Sequence, residues 1–433
     1  MSDTIAAIIT PFGLGAIAVL RISGKNAFTI LHALTKKQKF KDRQSTLATI
    51  YFQLKPIDKA IITCFPSPHS YTGEDVVEFS VHGGAIIAEE VLSAAIKLGA
   101  RLAEPGEFTK RAYLNNKMGL LEAESVADLI SAETHRAKEH AQQILQGALE
   151  KEFLTIQNLL LQIVSTLEIS IDFSEENIEI VSYKNVEGQI CSIIEKIQGA
   201  IDGFIQTRRA QYGATVALVG KPNAGKSRLF NYLVRKNRSI VTDIAGTTRD
   251  YITERISLKG YPVTLIDTAG LHNEDLDFLE TKGAEKTHEV LQTSDLLVYL
   301  VPPKEGATDL GFPTNILTVQ SKCDLLPNET LCNKLLRISA KTGDGIDQLI
   351  DEIIARLFVA PREGIIHKER HKNILSRMLV PLERTKSGIQ NGSPPEIIAE
   401  DVRLANIILG ELFGKHTTDD VLNNIFSRFC VGK

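Results

Sequence analysis

The stretch GKPNAGKS (220–227) constrains this chain more than any other. It sits between an apolar run, TVALV (215–219), and a helical run, RLFNYLV (228–234). Strand, glycine-bracketed loop and helix in that order make a phosphate loop; without that context the same letters are a glycine turn carrying Lys-Ser. Gly220 and Gly225 let backbone N–H groups curl around a phosphate chain. Lys226 reaches the outer phosphates and Ser227 ligates Mg²⁺. Residues 213–358, where strands alternate with helices and glycine turns, then read as a parallel α/β domain.

Four more stretches suit the same site. DTAG (267–270) follows YPVTLI, so Asp267 lies near a bound metal and Gly270 near the last phosphate, with Thr268 and Ala269 between. TDIAGTTRD (242–250) reads as a switch in which Thr248 is a second magnesium ligand. SKCD (321–324) follows NILTVQ, and SAK (339–341) follows LLRI. Asp324 can accept two hydrogen bonds from the N1–H and N2–H₂ edge of guanine. Adenine lacks that pattern, so the site selects GTP over ATP. Asn223, Ala224 and Arg228 flank the phosphates, and Ser321, Lys322, Ser339, Ala340 and Lys341 surround the base. The set resembles the five G motifs of translation-factor-type GTPases in a Ras-like domain. One residue departs: Ser321 stands where Asn is usual, and its shorter side chain reaches less far.

The residue after Gly270 is Leu271, which cannot orient a water. Another group must do so, and the transition-state charge needs a cation. Asn223 is a neutral oxygen ligand suited to holding a monovalent ion beside the phosphates, or it is a plain loop residue. Over such an ion the switch segment Thr242, Asp243, Ile244, Ala245, Gly246, Thr247 would close and supply oxygens. Glu280 in DFLETKG either positions water or is a solvated helix-start glutamate.

At 433 residues the chain calls for two to four domains. No apolar run is read as reaching the roughly 18 residues of a membrane span, and Asp3 with no basic n-region argues against a signal peptide. Five scattered cysteines without a CxxC pair predict reduced thiols of a cytoplasmic protein. A net charge of −4 predicts no broad nucleic-acid stripe. Four segments follow: 1–117, mixing alternating strand-like runs with one good helix; 118–212, helical; 213–358, α/β; and 359–433, helical again. The two helical segments are expected to pack together, making the α/β domain an insertion reached through TRRAQYG (207–213) and left through VAPREG (359–364).

The segment order, TDIAGTTRD and both chain ends resemble the MnmE (TrmE) family of tRNA-modifying GTPases over essentially the whole length. The carrying motifs include RISG (21–24), YTGEDVVEFSVHGG (71–84), EPGEFTKRAYLNNK (104–117), IDF (171–173) and FCVGK, where the family usually has FCIGK. The resemblance implies an N-terminal α+β domain that binds a tetrahydrofolate derivative (the 5-formyl or methylene form) and dimerises. It implies a helical domain built from two chain segments and an inserted P-loop GTPase domain. It implies partners: a second copy, the FAD-dependent MnmG (GidA) in a heterotetramer, and tRNA, whose wobble uridine gains an aminomethyl or carboxymethylaminomethyl group at carbon 5. Folate contacts carry over to Arg21, Glu78, Lys117 and Lys433. The potassium site carries over to Asn223, Thr242, Ile244 and Thr247, and the water-orienting glutamate to Glu280.

Read as residues alone, Arg21 and Glu78 are each an edge residue or half of an ion pair, or together grip a guanine-like pterin edge. His82 reads as a turn histidine. The last helix should start at Thr417 or Thr418, with Val421, Leu422, Ile425, Phe426 and Phe429 in one apolar stripe. That anchors the tail, so Cys430 is either a small buried hydrophobe or a thiol in uridine chemistry. The basic runs 36–43 and 367–372 either contact RNA or are solvated. A ribosome-assembly switch would usually carry a second G domain or a GxxG module, and 359–433 has no GxxG. Intact Lys226, Ser227, Thr248 and Asp267 argue against a vestigial site.

Overall fold

A computed structural model describes residues 3–37, 39–172, 182–237, 252–268, 292–303, 315–325, 335–358, 366–415, 417–427 and 429–432. The chain divides into two compact units, Met1–Ala127 with Gly410–Lys433, and Asp128–Leu409. The second helical segment is therefore shared between them.

In the first unit the alternating runs become β1 (Thr4–Ile8), β2 (Ile17–Ser23), β3 (Thr46–Phe52), β4 (Lys55–Phe65) and β5 (Val76–His82), joined by β6 (Ala100–Leu102). The sheet order is β3-β4-β5-β2-β1-β6, and only β1 and β6 pair in parallel. A two-residue period sends Leu20, Ile22, Ile62 and Phe79 to one face. There α1 (Ala27–Thr35) and α2 (Ala85–Lys97) cover them with Ile30, Leu34, Val91 and Ala95. Ile5 and Ala7 face the other way, against Tyr71 and Phe108 of α3 (Glu107–Leu114). Arg21 lies opposite both Ala7 and Glu78 in the register, so it shares that second face.

The C-terminal helix, Asp419–Phe426, packs Leu422 and Phe426, with Phe429 beyond it, against Leu120 and Ala123 of α4 (Leu120–Ile130). Two details differ from expectation. Val421 is 41% exposed, because it sits about 100° around the helix from Leu422. Thr418 is the N-cap, but its side chain makes no capping hydrogen bond.

The second unit holds α5 (His135–Leu145), α6 (Ala148–Asp172) and α7 (Tyr183–Tyr212). After them come β7 (Ala214–Val219), α8 (Lys226–Asn237), β8 (Ile252–Leu258), β9 (Tyr261–Asp267), β10 (Leu296–Val301), β11 (Ile316–Gln320), β12 (Leu336–Arg337) and α9 (Ile346–Leu357). The chain returns as α10 (Glu369–Gln390) and α11 (Pro395–Gly410). The α/β sheet runs β12-β11-β10-β7-β9-β8, parallel except for the antiparallel edge strand β8. α10 packs along α7, with Lys372 over the Phe204 ring and Gln390 bonded to Glu187, and Arg403 of α11 pairs with Glu168 of α6. TRRAQY forms the last turns of α7, and Gly213 (φ +94°) then abuts the Pro262 carbonyl, where a side chain would collide.

α6 corrects one expectation. An 18-residue window within Ala148–Ile171 reaches a mean hydropathy of 1.3, so the helix is long and apolar enough by length and composition to cross a membrane. It nevertheless carries Glu150, Lys151, Glu152 and Glu168, and it buries Leu149, Phe153, Ile156, Leu160, Ile163 and Leu167 at three- and four-residue spacing. That is the stripe of a bundle helix.

Candidate functional site

β7 is buried on both faces, as a central parallel strand is, and it feeds the phosphate loop directly. Gly220 (φ +151°) passes so close to Leu300 that a Cβ would meet its carbonyl at 2.7 Å. Gly225 and Asn223 also take positive φ, 99° and 63°, conformations open to Gly and tolerated by Asn. The loop thereby closes on itself, with the Ala224 N–H donating to the Lys221 carbonyl. Lys226 opens α8 and donates its ammonium to the carbonyls of Gly220 (2.7 Å) and Lys221 (3.1 Å). Burial pushes that ammonium below its usual range, and Asp267 at the end of β9 opposes the shift. A phosphate chain would offer this buried cation stronger partners than two neutral carbonyls. Ser227 and Asn223 are exposed, while Asp267 is buried, and Thr268 donates to the Leu218 carbonyl at 2.7 Å. The chemistry of this donor set fits Mg²⁺ and a nucleotide phosphate.

Beyond β11, Asp324 is exposed, and the Ser339 hydroxyl donates to its Oδ1 at 2.7 Å. That bond, aided by Lys341 and Arg228, holds the carboxyl below the usual carboxylate range. Ser339 is fully buried and accepts from the N–H groups of Lys341 and Thr342, so SAK orients the aspartate. Ser321 is buried instead against β10, where its hydroxyl lies 3.4 Å from the Val301 carbonyl. The structure thus brings together 220–228, Asp267, Thr268, Ser321, Lys322, Asp324 and 339–341. Thr242, Asp243, Ile244, Ala245, Gly246, Thr247, Thr248, Ala269, Gly270, Glu280 and Lys433 lie outside the described residues.

A second constellation occupies the α3-side face of the first unit's sheet. Arg21 Nε and Nη2 donate to Glu78 Oε1 at 2.9 and 2.8 Å. The guanidinium lies 5.1 Å from the Tyr71 ring centroid and 5.5 Å from that of Phe108. Its Nη1 is buried without a hydrogen-bond partner among the described residues. An orphaned donor between two aromatic rings fits a flat, acceptor-bearing ligand. Lys117 is exposed and donates to the Pro68 carbonyl at 3.0 Å. The tail is held: Val431 bridges to Pro105, the Cys430 carbonyl accepts from Gly106 N–H at 3.4 Å, and Gly432 packs on Ile8 and Ile9. Cys430 is exposed rather than buried. His82 is clamped by Asp58, which accepts from its Nδ1 (2.7 Å) and its N–H (2.8 Å).

The residue reading missed what supports Arg21. Arg111, 1% exposed, bonds Asp3, Glu74 and Glu107, and Ser23 bonds Thr72 and Glu74, which ties β2 to α3. The only local signal was Glu107–Arg111 at i,i+4 spacing. The run 367–372 is not a solvated basic patch, since His367 and His371 are 1% exposed and Lys368 pairs with Asp128.

Comparison with known proteins supplies the rest. The family described as "GTP-binding protein TrmE N-terminus" matches residues 4–117, and "MnmE helical domain" matches residues 120–430. The chain is 37% identical to the tRNA modification GTPase MnmE of Aquifex aeolicus, covering 100% of both. It is 35% identical to that of Acetivibrio thermocellus, covering 100% of this chain and 99% of the relative. A solved Aquifex aeolicus Era structure aligns with 40% of this chain and 65% of its own at a TM-score of 0.28 and 23% identity. With relatives matched end to end and both family descriptions met, the chain belongs to the MnmE (TrmE) family of tRNA modification GTPases and is a GTP hydrolase.

Proposed function

We propose that this GTPase works with a flavin-dependent partner of the MnmG (GidA) kind. Together they add an aminomethyl or carboxymethylaminomethyl group to carbon 5 of the wobble uridine of certain tRNAs. The relatives' activity supports the tRNA substrate, and the buried Nη1 of Arg21, without a partner among the described residues, carries the finer reading. A tetrahydrofolate derivative would supply the one-carbon unit. Arg21 and Glu78 would grip its pterin edge, Tyr71 and Phe108 would flank it, and Lys117 and Lys433 would meet its carboxylates. Cys430, exposed on a tail tethered to Pro105 and the end of β1, would act as nucleophile or acid-base group. Residues 1–117 would form the folate and dimerisation domain, 118–212 with 359–433 the helical domain, and 213–358 the GTPase domain. Dimerisation through the N-terminal sheet is supported by Ile17, Leu47 and Ile61, exposed together on the Arg21 face.

In the GTPase domain, Lys226 and the loop N–H groups would hold the phosphates, with Ser227 and Thr248 on Mg²⁺. Asn223, Thr242, Ile244 and Thr247 would hold K⁺, which supplies positive charge at the transition state. Glu280 would orient the water. The test is mass spectrometry of tRNA nucleosides from cells with and without the gene. Loss of a hypermodified wobble uridine, restored by the wild type but not by Arg21→Ala, is expected. Unchanged nucleosides would refute the reading.

A further inference from the structure

The α/β domain meets the helices that flank it in more than its two chain crossings. α5 begins beside the β8–β9 hairpin, with its N-cap Thr134 accepting from Ala137 N–H at 3.2 Å. Just before that cap, Glu133 pairs with Arg255 of β8. One residue into the helix, Arg136 lies 4.3 Å from the ring centroid of Tyr261, the first residue of β9. Tyr261 also stacks on Phe358 at 4.4 Å, and Gly260 (φ +88°) in the turn approaches Arg136. So one short segment of the helical region holds both strands of a single hairpin. The opposite end of that hairpin is Asp267, beside Lys226 of the phosphate loop.

Two further anchors fix the places where the chain crosses. Asp128 of α4 accepts from Tyr212, the last residue of α7, and from His367 and Lys368, where the chain returns, each at 2.9 Å. Arg209 of α7 pairs with Asp295 at 2.7 Å, and Asp295 also accepts from Thr215 N–H of β7. The crossings are therefore pinned, while the hairpin is a lever. Each of its strands has seven residues, about 23 Å at roughly 3.3 Å per residue. Paired strands move as a unit because their ladder hydrogen bonds resist shear.

We propose that Glu133 and Arg136 form a clamp through which nucleotide state at the phosphate loop reaches the helical region, the β8–β9 hairpin being the transmitting element. The clamp touches neither nucleotide nor metal; it positions.

Hydrogen exchange of the full-length protein tests this, with the non-hydrolysable analogue GppNHp and Mg²⁺ added in potassium buffer. In the wild type, exchange in both 252–267 and 135–145 changes at least about twofold on adding GppNHp. In Glu133→Ala with Arg136→Ala, the hairpin response stays and the 135–145 response is lost, with GppNHp affinity within about threefold of wild type. The charge swap Glu133→Arg with Arg255→Glu restores at least part of the response, which a purely structural role would not predict. The proposal is overturned if 135–145 responds equally in the doubly truncated protein, or if the swapped protein binds GppNHp without regaining the response. It is overturned by wild type alone, whatever the variants' folding, if 135–145 does not respond.

Discussion

Replacing Asp128 by asparagine keeps its shape and removes its charge from a site 3% exposed to solvent. The carboxylate accepts from His367, Lys368 and Tyr212, and these partners hold its pKa down from 3.8 to about 2, against the opposing effect of burial. A downward shift near two units corresponds to about 2 kcal/mol of folded-state preference for the ionised form. For a carboxylate whose folded pKa lies below its unfolded value, that stability is fully present above the unfolded pKa. It is lost as pH falls through the folded one, so the window runs from about pH 4 to about pH 2. Asp128→Asn should therefore cost about 2 kcal/mol or more at pH 7, since it also leaves the half-buried Lys368 ammonium with a weaker partner. The deficit relative to wild type should shrink steadily below about pH 4. Urea denaturation of both proteins, followed by circular dichroism between pH 7 and pH 2.5, reads this difference directly. A wild-type advantage that is the same at pH 3 as at pH 7 would refute the electrostatic account and leave only packing.

Three other outcomes follow from the proposed sites. Asp324→Asn should weaken GTP binding by about 100-fold or more, because an amide N–H₂ would face the guanine N–H groups. Xanthosine triphosphate, with a carbonyl oxygen at that position, should then bind the variant better than GTP does, as read by competition with a fluorescent nucleotide. Cys430→Ser should leave GTP turnover within about twofold of wild type and abolish uridine modification in a reconstituted assay; loss of turnover as well would mean the thiol is structural. GTP hydrolysis should run at least about tenfold faster in potassium than in sodium, and equal rates would remove Asn223 from any cation site.

How far the sequence was legible depends on how local each signal was. The phosphate loop is legible because strand, glycines, lysine and helix all fall within a few residues, and in the structure Gly220 and Gly225 take positive φ while Lys226 opens the helix and points back into the loop. The strand runs of the first unit are legible for the same reason, since a period of two needs only one strand. Arg21 and Glu78 were legible as a possible couple but not as register partners, because pairing is set by a turn and a hydrophobic pattern 57 residues apart. Asp128 was not legible at all: it lies 84 residues from Tyr212 and 239 from His367. The run HKERHK looked solvated because its charge density is high, yet His367, just before α10, is held inward by Asp128, and His371 is buried in the first turns of that helix. Arg136 over Tyr261 is similarly invisible, since each alone is an ordinary helix or strand residue.

Ser321 separates two explanations of guanine selectivity. The sequence comparison with other G motifs suggested a weakened base contact, because serine is shorter than the usual asparagine. In the structure the residue is 3% exposed, its N–H donates to the Val301 carbonyl at 2.9 Å, and its hydroxyl lies 3.4 Å from the same oxygen. It therefore ties the loop to β10, and in the proposed site it would leave the base to Asp324 and Ser339. A hydrogen bond that long is weak, so Ser321→Ala should cost about 1 kcal/mol of stability or less. Its effect on GTP affinity should stay within about threefold, whereas Ser339→Ala frees Asp324 from its orienting donor and should weaken GTP several times more. Titrating both variants with a fluorescent GTP analogue compares them on one scale. If Ser321→Ala loses as much affinity as Asp324→Asn, the hydroxyl contacts the nucleotide or its loop, and the division of labour drawn here is wrong.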